Sequence, residues 1–294
     1  MRQLSVFEIR RLLTNFLKED IGTGDITSAT LISPHVYAQA LITCKSDNKG
    51  IVAGIEESST IFDICRCKTT VLVKDGTSIK NGTTVMEIDG RALSILKAER
   101  TAINLLMRMS GIATETRMFI DSISDYNQFV RIAGTRKTAP GLRYFDKKAV
   151  QVGGGESHRM RLDDMVLIKD NHLFFSDSVE KSVRKAKKEV GSTVKIECEV
   201  TKCDDAIRAI IAGADIVMLD NFSPREVADT IKQIERKGIR GQVKLEVSGG
   251  INLRNVKSYA KAKPDIISIG HLTHSAKALD FSLEIRKKSD FLDE

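Results

Sequence analysis

Tryptophan is absent from this chain of 294 residues, proline occurs 4 times, cysteine 5 times, and aromatic side chains make up only 5%. An odd and small number of cysteines cannot staple a domain of this length. Cys65-Arg-Cys67 and the pair Cys198/Cys203 also lack the C-x2-C spacing of a structural zinc site. The thiols are expected to be free, in a reducing cytoplasm. Without tryptophan, and without helix-turn-helix or zinc-finger spacing, the chain has no apparatus for reading bases, so nucleic acid is not an expected partner. No stretch approaches the ~18 uninterrupted apolar residues of a membrane helix. The richest, residues 209–219, is broken by Asp215. Arg2, Glu8, Arg10 and Arg11 stand where a signal peptide would be apolar. A soluble, cytoplasmic protein with no membrane partner is expected.

What the chain does have is 41% hydrophobic and 29% charged residues, enough for a core and for solubility. Its 46 Lys+Arg against 39 Asp+Glu give a net charge of +7. That balance suits nucleic acid, an acidic surface or a polyanionic small molecule equally, so charge alone does not choose among them.

The first third reads as mixed α and β. Val6, Ile9, Leu12, Leu13 and Phe16 fall at helical spacing over residues 5–18, and a turn-rich stretch occupies 19–25. Short β-like runs at 37–44, 69–73 and 83–88 are separated by Gly and Asn turns. Leu93, Leu96, Ile103, Leu106 and Met109 then mark a long helix, with Glu99 and Arg100 among its polar positions. From about residue 129, β-rich runs at 129–133, 165–168, 194–198, 216–219, 243–247 and 266–269 alternate with amphipathic helices. Ser223-Pro-Arg-Glu226 carries an N-cap, a first-turn proline and a capping-box glutamate, and Asp177-Ser-Val-Glu180 is read in the same way. Lys181, Arg184, Lys185, Lys187 and Lys188 form the solvated face of the helix after it. Such repeated βα units predict a parallel sheet covered by helices.

The informative feature is the chemistry just past each strand. Gly134-Thr-Arg-Lys137, Lys169-Asp-Asn-His172, Glu199, Asp220-Asn221, Ser248-Gly-Gly250 and Gly270-His271 come after the six runs in turn. In a βα barrel these ends converge on one mouth. Arg136, Lys137 and Lys169, with His158-Arg159, make a cationic set suited to carboxylates and phosphates. Ser248, Gly249, Gly250 and Gly270 end the last two strands, where barrels often hold a phosphate on backbone N–H groups. Glu199 and Asp220 are acids in a basic pocket, able to hold Mg²⁺ directly or through water. The set fits a substrate with phosphates and carboxylates, plus Mg²⁺. Plainer readings apply elsewhere. Gly153–Gly155 matches no dinucleotide or P-loop fingerprint and reads as a close-approach turn. Asp163-Asp164 reads as a cap, Cys198 as core and His35 as surface.

Taken in order, these residues resemble the quinolinate phosphoribosyltransferase family. The resemblance runs from Glu19 to Ser282 and rests on Glu-Asp-Ile-Gly-Thr-Gly-Asp-Ile-Thr (19–27), Glu-Arg-Thr-Ala-Ile-Asn (99–104) and Gly-Thr-Arg-Lys-Thr-Ala-Pro-Gly-Leu-Arg (134–143). It continues through Gly-Gly-Gly-Glu-Ser-His-Arg (153–159), Leu-Ile-Lys-Asp-Asn-His (167–172), Ile-Glu-Cys-Glu-Val (196–200), Met-Leu-Asp-Asn (218–221) and Ser-Ile-Gly-His-Leu-Thr-His-Ser (268–275). It implies an N-terminal α/β sandwich domain over residues 1–115 and an open α/β barrel of parallel strands, of a seven-stranded type, over 116–273. Residues 274–294 would return to the first domain. The implied reaction joins quinolinate and phosphoribosyl pyrophosphate with Mg²⁺, giving nicotinate mononucleotide, pyrophosphate and CO₂, with no covalent enzyme intermediate and no organic cofactor. Family members are homodimers or hexamers of dimers, and Arg100 occupies the position of an arginine shared with the partner's site. By the same resemblance Arg136, His158, Arg159 and Lys169, aided by Lys137 and Arg100, hold the two carboxylates of quinolinate. Thr135 belongs to the same substrate-binding motif, and Lys137, Glu199 and Asp220 are the catalytic set. Glu199 and Asp220 would hold Mg²⁺. Ser248, Gly249, Gly250, Gly270 and His271 lie in the segments that take the 5′-phosphate, and His274 enters through its Thr-His-Ser motif. His271 departs from the family, many members having a small residue there.

Two other readings compete. One is a sister phosphoribosyltransferase, using nicotinate or belonging to the molybdenum-associated branch. His158-Arg159 together with Arg136, able to grip a second carboxylate, speak for quinolinate. The other is a catalytically silent basic binding protein, against which Lys137, Lys169, Glu199 and Asp220 speak.

Overall fold

A computed structural model describes residues 4–287; Arg2 and residues 288–294 of the expected C-terminal segment lie outside the described residues. The chain forms two compact units. One is built on the stretch up to Glu115 with Gln151–Gly153 and the stretch from Ala276; the other comprises Thr116–Val150 and Gly154–Ser275.

The first unit opens with α1 (Val6–Ile21). Ser5 caps it: its hydroxyl accepts the Glu8 N–H at 3.2 Å, and the Glu8 carboxylate accepts the Ser5 N–H at 2.8 Å. The helix runs past Lys18 to Ile21, and α2 (Ile26–Leu31), capped by Asp25, comes next without any apolar spacing to announce it. Beyond it lie β1 (Tyr37–Cys44), β2 (Gly50–Ile51), α3 (Ile55–Ile64), β3 (Lys68–Val71), β4 (Ser78–Ile79), β5 (Thr84–Arg91) and the long α4 (Ala92–Ser122). In β1 the residues Ala38, Ala40, Ile42 and Cys44 are buried, the two-residue period of a strand with one face in a core.

The second unit alternates strand and helix: β6 (Arg131–Ala133), α5 (Arg143–Val152), β7 (Val166–Ile168), α6 (Asp170–Leu173), α7 (Val179–Glu189), β8 (Ile196–Val200) and α8 (Cys203–Ala212). It continues with β9 (Ile216–Asp220), α9 (Pro224–Arg236), β10 (Lys244–Ser248), α10 (Val256–Ala260), β11 (Ile266–Ser268) and α11 (His271–His274). All neighbours pair in parallel, in the order β6-β11-β10-β9-β8-β7. Glu156 adds a one-residue parallel bridge beside β6, with Gly134 N donating to Glu156 O at 2.9 Å and Glu156 N to Ile132 O at 2.8 Å. Glu156 therefore stands where a seventh strand would. Among the described residues nothing pairs β7 with it, so the barrel is open.

Two local expectations change. β8 runs on to Val200, so Glu199 lies inside its strand rather than after it and is held by the ladder. The cap of α7 is Ser178, not Asp177. Ser178 takes the extended backbone a cap needs and accepts the Lys181 N–H at 3.2 Å, while Asp177 pairs with Lys181 Nζ at 2.6 Å. Asp164 caps a turn by accepting the N–H groups of Met160 at 2.6 Å and Arg161 at 3.1 Å. Gly155 is a point of close approach: a Cβ there would meet Thr116 and Val150, both at 2.9 Å.

The first unit's sheet is completed by β12 (Phe281–Lys287), giving the antiparallel order β12-β1-β5-β3. All five cysteines are free thiols, with Cys198 in the core. Among the described residues no helix is long and apolar enough to cross a membrane.

Candidate active site

Residues two apart on a strand share a face. Leu167 and Lys169, Glu197 and Glu199, Met218 and Asp220, Glu246 and Ser248, and Ser268 and Gly270 repeat that spacing on or just after five neighbouring strands. All but Glu197 line one cavity of about 540 Å³ in the second unit. The alternate residues Cys198, Val217, Leu219, Leu245, Val247 and Ile267 are wholly buried on the other face. The strand pattern thus separates a core from a polar cavity.

Of the expected site residues, Thr135, Arg136, Lys137, His158, Arg159, Lys169, Glu199, Asp220, Ser248, Gly249, Gly250, Gly270, His271 and His274 line this cavity; Arg100 does not. Arg100 is exposed on α4 in the first unit, 3.8 Å from Glu99. Arg136 is half-buried, and its buried Nε has no hydrogen-bond partner among the described residues. The loop bearing it is fixed at the next residue through both its N–H and its carbonyl. Lys137 N donates to Thr135 Oγ1 at 3.1 Å, and Thr273 Oγ1 on α11 donates to the Lys137 carbonyl at 2.8 Å. Lys169 Nζ pairs with Glu199. Arg159 donates from Nη1 to the Met165 carbonyl at 3.3 Å.

Glu199 is buried and Asp220 half-buried, at the ends of adjacent strands. Burial, then the charge of Glu199, raises the Asp220 pKa above the usual carboxylate range, while Lys169 and Lys137 work the other way. Two hard carboxylate oxygen donors, one destabilised by the other's charge, suit Mg²⁺, which takes one or two carboxylates and completes its shell with water or phosphate oxygens. Beside Asp220, Gly249 (φ +97) and Gly250 (φ +62) turn the chain after β10 in the left-handed region. Gly270 lies so close to its neighbours that a Cβ would stand 3.1 Å from Lys137 Cδ and 3.2 Å from His274 Cδ2. The His271 and His274 rings meet edge to face at 5.9 Å. Cys198 is no nucleophile: burial pushes its thiol up to about 12.

His158 belongs to a cluster not foreseen. His158 Nε2 stands 3.2 Å from both Glu197 Oε2 and Glu246 Oε2, both carboxylates being wholly buried, and Glu246 also accepts from Ser268 Oγ. Burial works against the imidazolium, but the two glutamates outweigh it and raise His158 to about 9. The Arg159 N–H at 2.8 Å from Nδ1 favours the neutral ring; two full charges prevail over one peptide dipole. For Glu197 the direction is also upward, through burial and despite His158, with Glu246 adding to it. Its position two residues before Glu199 is the signal that could have found it.

Two family models match the chain: Quinolinate phosphoribosyl transferase, N-terminal domain, over residues 25–110, and the C-terminal domain of the same name over residues 112–284. A relative from Methanothermobacter thermautotrophicus, named Probable nicotinate-nucleotide pyrophosphorylase (carboxylating), is 42% identical over 94% of this chain and 98% of its own. One of the same name from Archaeoglobus fulgidus is 44% identical over 89% of this chain and 98% of its own. The solved nicotinate-nucleotide pyrophosphorylase of Francisella tularensis superimposes with a TM-score of 0.88 at 37% identity, covering 97% of this chain and 98% of that one.

Proposed function

Because the chain belongs to the quinolinate phosphoribosyl transferase family, we infer that it is a carboxylating nicotinate-nucleotide pyrophosphorylase, a pentosyltransferase of NAD biosynthesis. It joins phosphoribosyl pyrophosphate and quinolinate to give nicotinate mononucleotide, pyrophosphate and CO₂. The observation that carries this is one cavity lined by Arg136, His158, Arg159 and Lys169 together with the acids Glu199 and Asp220, Lys169 being paired with Glu199. Such a cavity suits a ligand rich in carboxylates and phosphates that develops positive charge between them.

Arg136, Arg159 and Lys169, with the imidazolium of His158, grip the two carboxylates of quinolinate. Arg136 lines the cavity with a guanidinium whose Nε has no hydrogen-bond partner among the described residues. The 5′-phosphate rests on the turn Ser248-Gly249-Gly250 and on Gly270-His271, with His274 at its edge, using backbone N–H groups that no Cβ shields. As the bond from the ribose to pyrophosphate breaks, Glu199 and Asp220 stabilise the oxocarbenium character of the sugar, and Lys137 stabilises the departing oxygens. Mg²⁺ is held by Glu199 and Asp220, directly or through water, and when bound it supplies further positive charge to the pyrophosphate. The pyridine nitrogen forms the new bond to the ribose carbon. That nitrogen, now cationic, stabilises the electron pair left on the neighbouring ring carbon when its carboxylate departs as CO₂, and a proton from water then takes the carboxylate's place on that carbon.

The working assembly is a homodimer, or a hexamer of dimers, in which Arg100 of one copy completes the site of another. The exposed guanidinium of Arg100, outside its own chain's cavity, supports this. Five free thiols support a cytoplasmic location. The test is a Mg²⁺-dependent assay with phosphoribosyl pyrophosphate, offering quinolinate and nicotinate in parallel. Nicotinate mononucleotide and CO₂ from quinolinate alone are expected; turnover of nicotinate only, or of neither, would reject the reading.

A further inference from the structure

Lys147 lies on α5, outside the cavity lining, with none of its surface exposed to solvent. A wholly buried lysine is rare because its ammonium loses its hydration, so its partners carry information. Nζ donates to the carbonyl of Ser157 and, at 2.7 Å, to the carbonyl of Arg159. The single residue between those carbonyls is His158. His158 has φ +51, a left-handed backbone that a non-glycine residue adopts only under constraint.

The same helix grips the loop a second time. Arg143, one turn before Lys147 and on the same face, donates from Nη1 to the Met160 carbonyl at 3.3 Å and from Nε to Thr138 Oγ1 at 3.2 Å. Thus α5 holds the backbone at 157, 159 and 160, while Glu197 and Glu246 hold the His158 ring from the strands. Two cationic side chains on a helix fix main-chain carbonyls; two anionic ones on a sheet fix the side chain between them. Nothing about the loop's own sequence, Ser-His-Arg, demands a left-handed histidine, so the constraint comes from these partners.

We propose that Lys147 is a positioning residue, whose ammonium bridges the carbonyls on either side of His158 and thereby sets the His158–Arg159 pair at the angle that receives the substrate's carboxylates. This rests on the assignment of that pair to quinolinate. Lys147 touches no substrate; it acts through the loop. Burial, then the like charge of Arg143, lowers its pKa to about 8, with Asp164 opposing and Arg136 and Arg159 reinforcing; Asp146, also buried, is its neighbour on the helix. The grip is therefore charge-assisted below about pH 8 and weakens as the pH climbs through that value.

The experiment measures kcat and both KM values for the unmodified enzyme and for Lys147→Met, Lys147→Arg and Arg159→Ala, with circular dichroism and thermal unfolding on each. Arg159→Ala is expected to raise the quinolinate KM; if it does not, the assignment of the pair is wrong and the proposal falls with it. Given that rise, Lys147→Met is expected to raise the quinolinate KM by about tenfold while the phosphoribosyl pyrophosphate KM stays within about twofold. Lys147→Arg should restore most of the loss. A Lys147→Met protein that melts earlier but keeps both KM values, or loses both alike, overturns the proposal. Should that variant not fold, the pH profile decides. In the unmodified enzyme the quinolinate KM begins to rise above about pH 8. In Lys147→Arg, whose guanidinium keeps its proton, it stays level until the His158 limb near pH 9. Coincident profiles overturn the proposal.

Discussion

Asn221 and Gly249, just beyond the ends of the neighbouring strands β9 and β10, interlock. Asn221 N donates to Ser248 O at 2.9 Å, and a Cβ added to Gly249 would stand 2.8 Å from that same nitrogen. Both residues have left-handed backbone, φ 58 and φ +97. The turn proposed to receive the 5′-phosphate is thus shaped by its neighbour's main chain.

Gly249→Ala meets both that contact and a left-handed cost of roughly 1–2 kcal/mol. It should lower kcat/KM for phosphoribosyl pyrophosphate by at least about tenfold. Gly250→Ala, with φ +62 but open space around the added methyl, should lose clearly less. Steady-state kinetics on the two variants checks this; equal losses would mean that the contact with Asn221 is not what shapes the turn.

Lys169→Met removes the cation facing the buried Glu199 carboxylate. Because Lys169 is itself partly exposed, the expected destabilisation is about 2 kcal/mol rather than the full cost of breaking a buried pair. Adding Glu199→Gln should recover stability without recovering activity. Thermal unfolding beside turnover separates the two effects.

His158 is held above its ordinary pKa, at about 9, so its charge is present through the neutral range. A group raised in the folded state stabilises fully below its unfolded pKa, and that contribution disappears as the pH climbs through the folded one. Melting temperature should therefore fall between about pH 6.5 and 9 and level off beyond it, quinolinate affinity should show a limb through about pH 9, and Glu246→Gln should move both to lower pH. An unchanged profile in the variant would show that Glu246 does not hold the charge.

Chelation of divalent cations should lower kcat by roughly a hundredfold or more, with Mg²⁺ restoring it. Glu199→Gln and Asp220→Asn should each require more Mg²⁺ for half-maximal rate. A Mg²⁺ titration of the three proteins gives the answer, and identical curves would remove both acids from the metal site.

Arg100→Ala and Lys137→Ala proteins should each be inactive yet folded. Mixed under conditions that exchange subunits, they should recover about a quarter of normal activity, since half the dimers become mixed and each mixed dimer has one intact site. No recovery despite demonstrated exchange would confine Arg100 to its own chain.

The barrel is legible in the sequence because its strands are apolar runs and the polar residues at their ends are chemically distinctive. Glu199 stands out as an acid where chemistry is expected. Glu197 does not, although the two-residue period puts it on the same face. Glu246 and Ser268 are harder, since Glu246's meeting with His158 and Ser268's with Glu246 depend on which strands are neighbours, and the order β11-β10-β9-β8 is not written in any one segment. Lys147 is harder still: beside Lys148 it resembles an ordinary surface lysine, and only the return of residues 157–159 over α5 makes it a buried donor. In β12, by contrast, Phe281, Leu283 and Ile285 alternate with Ser282, Glu284 and Arg286, a strand signal that counting apolar runs overlooks.

That strand has a consequence for synthesis. β1 needs β12 as its outer neighbour, with Ala38 opposite Lys287 and Cys44 opposite Phe281. While the ribosome is still making the intervening chain, β1 presents an unsatisfied edge to any other strand it meets. The first sheet can be finished only after residue 281 has emerged, through one of the most distant pairings the chain makes, and such closures are slow. Nascent chains halted before that point would carry a β-edge open to self-association, so the first sheet closes only once translation has passed the barrel.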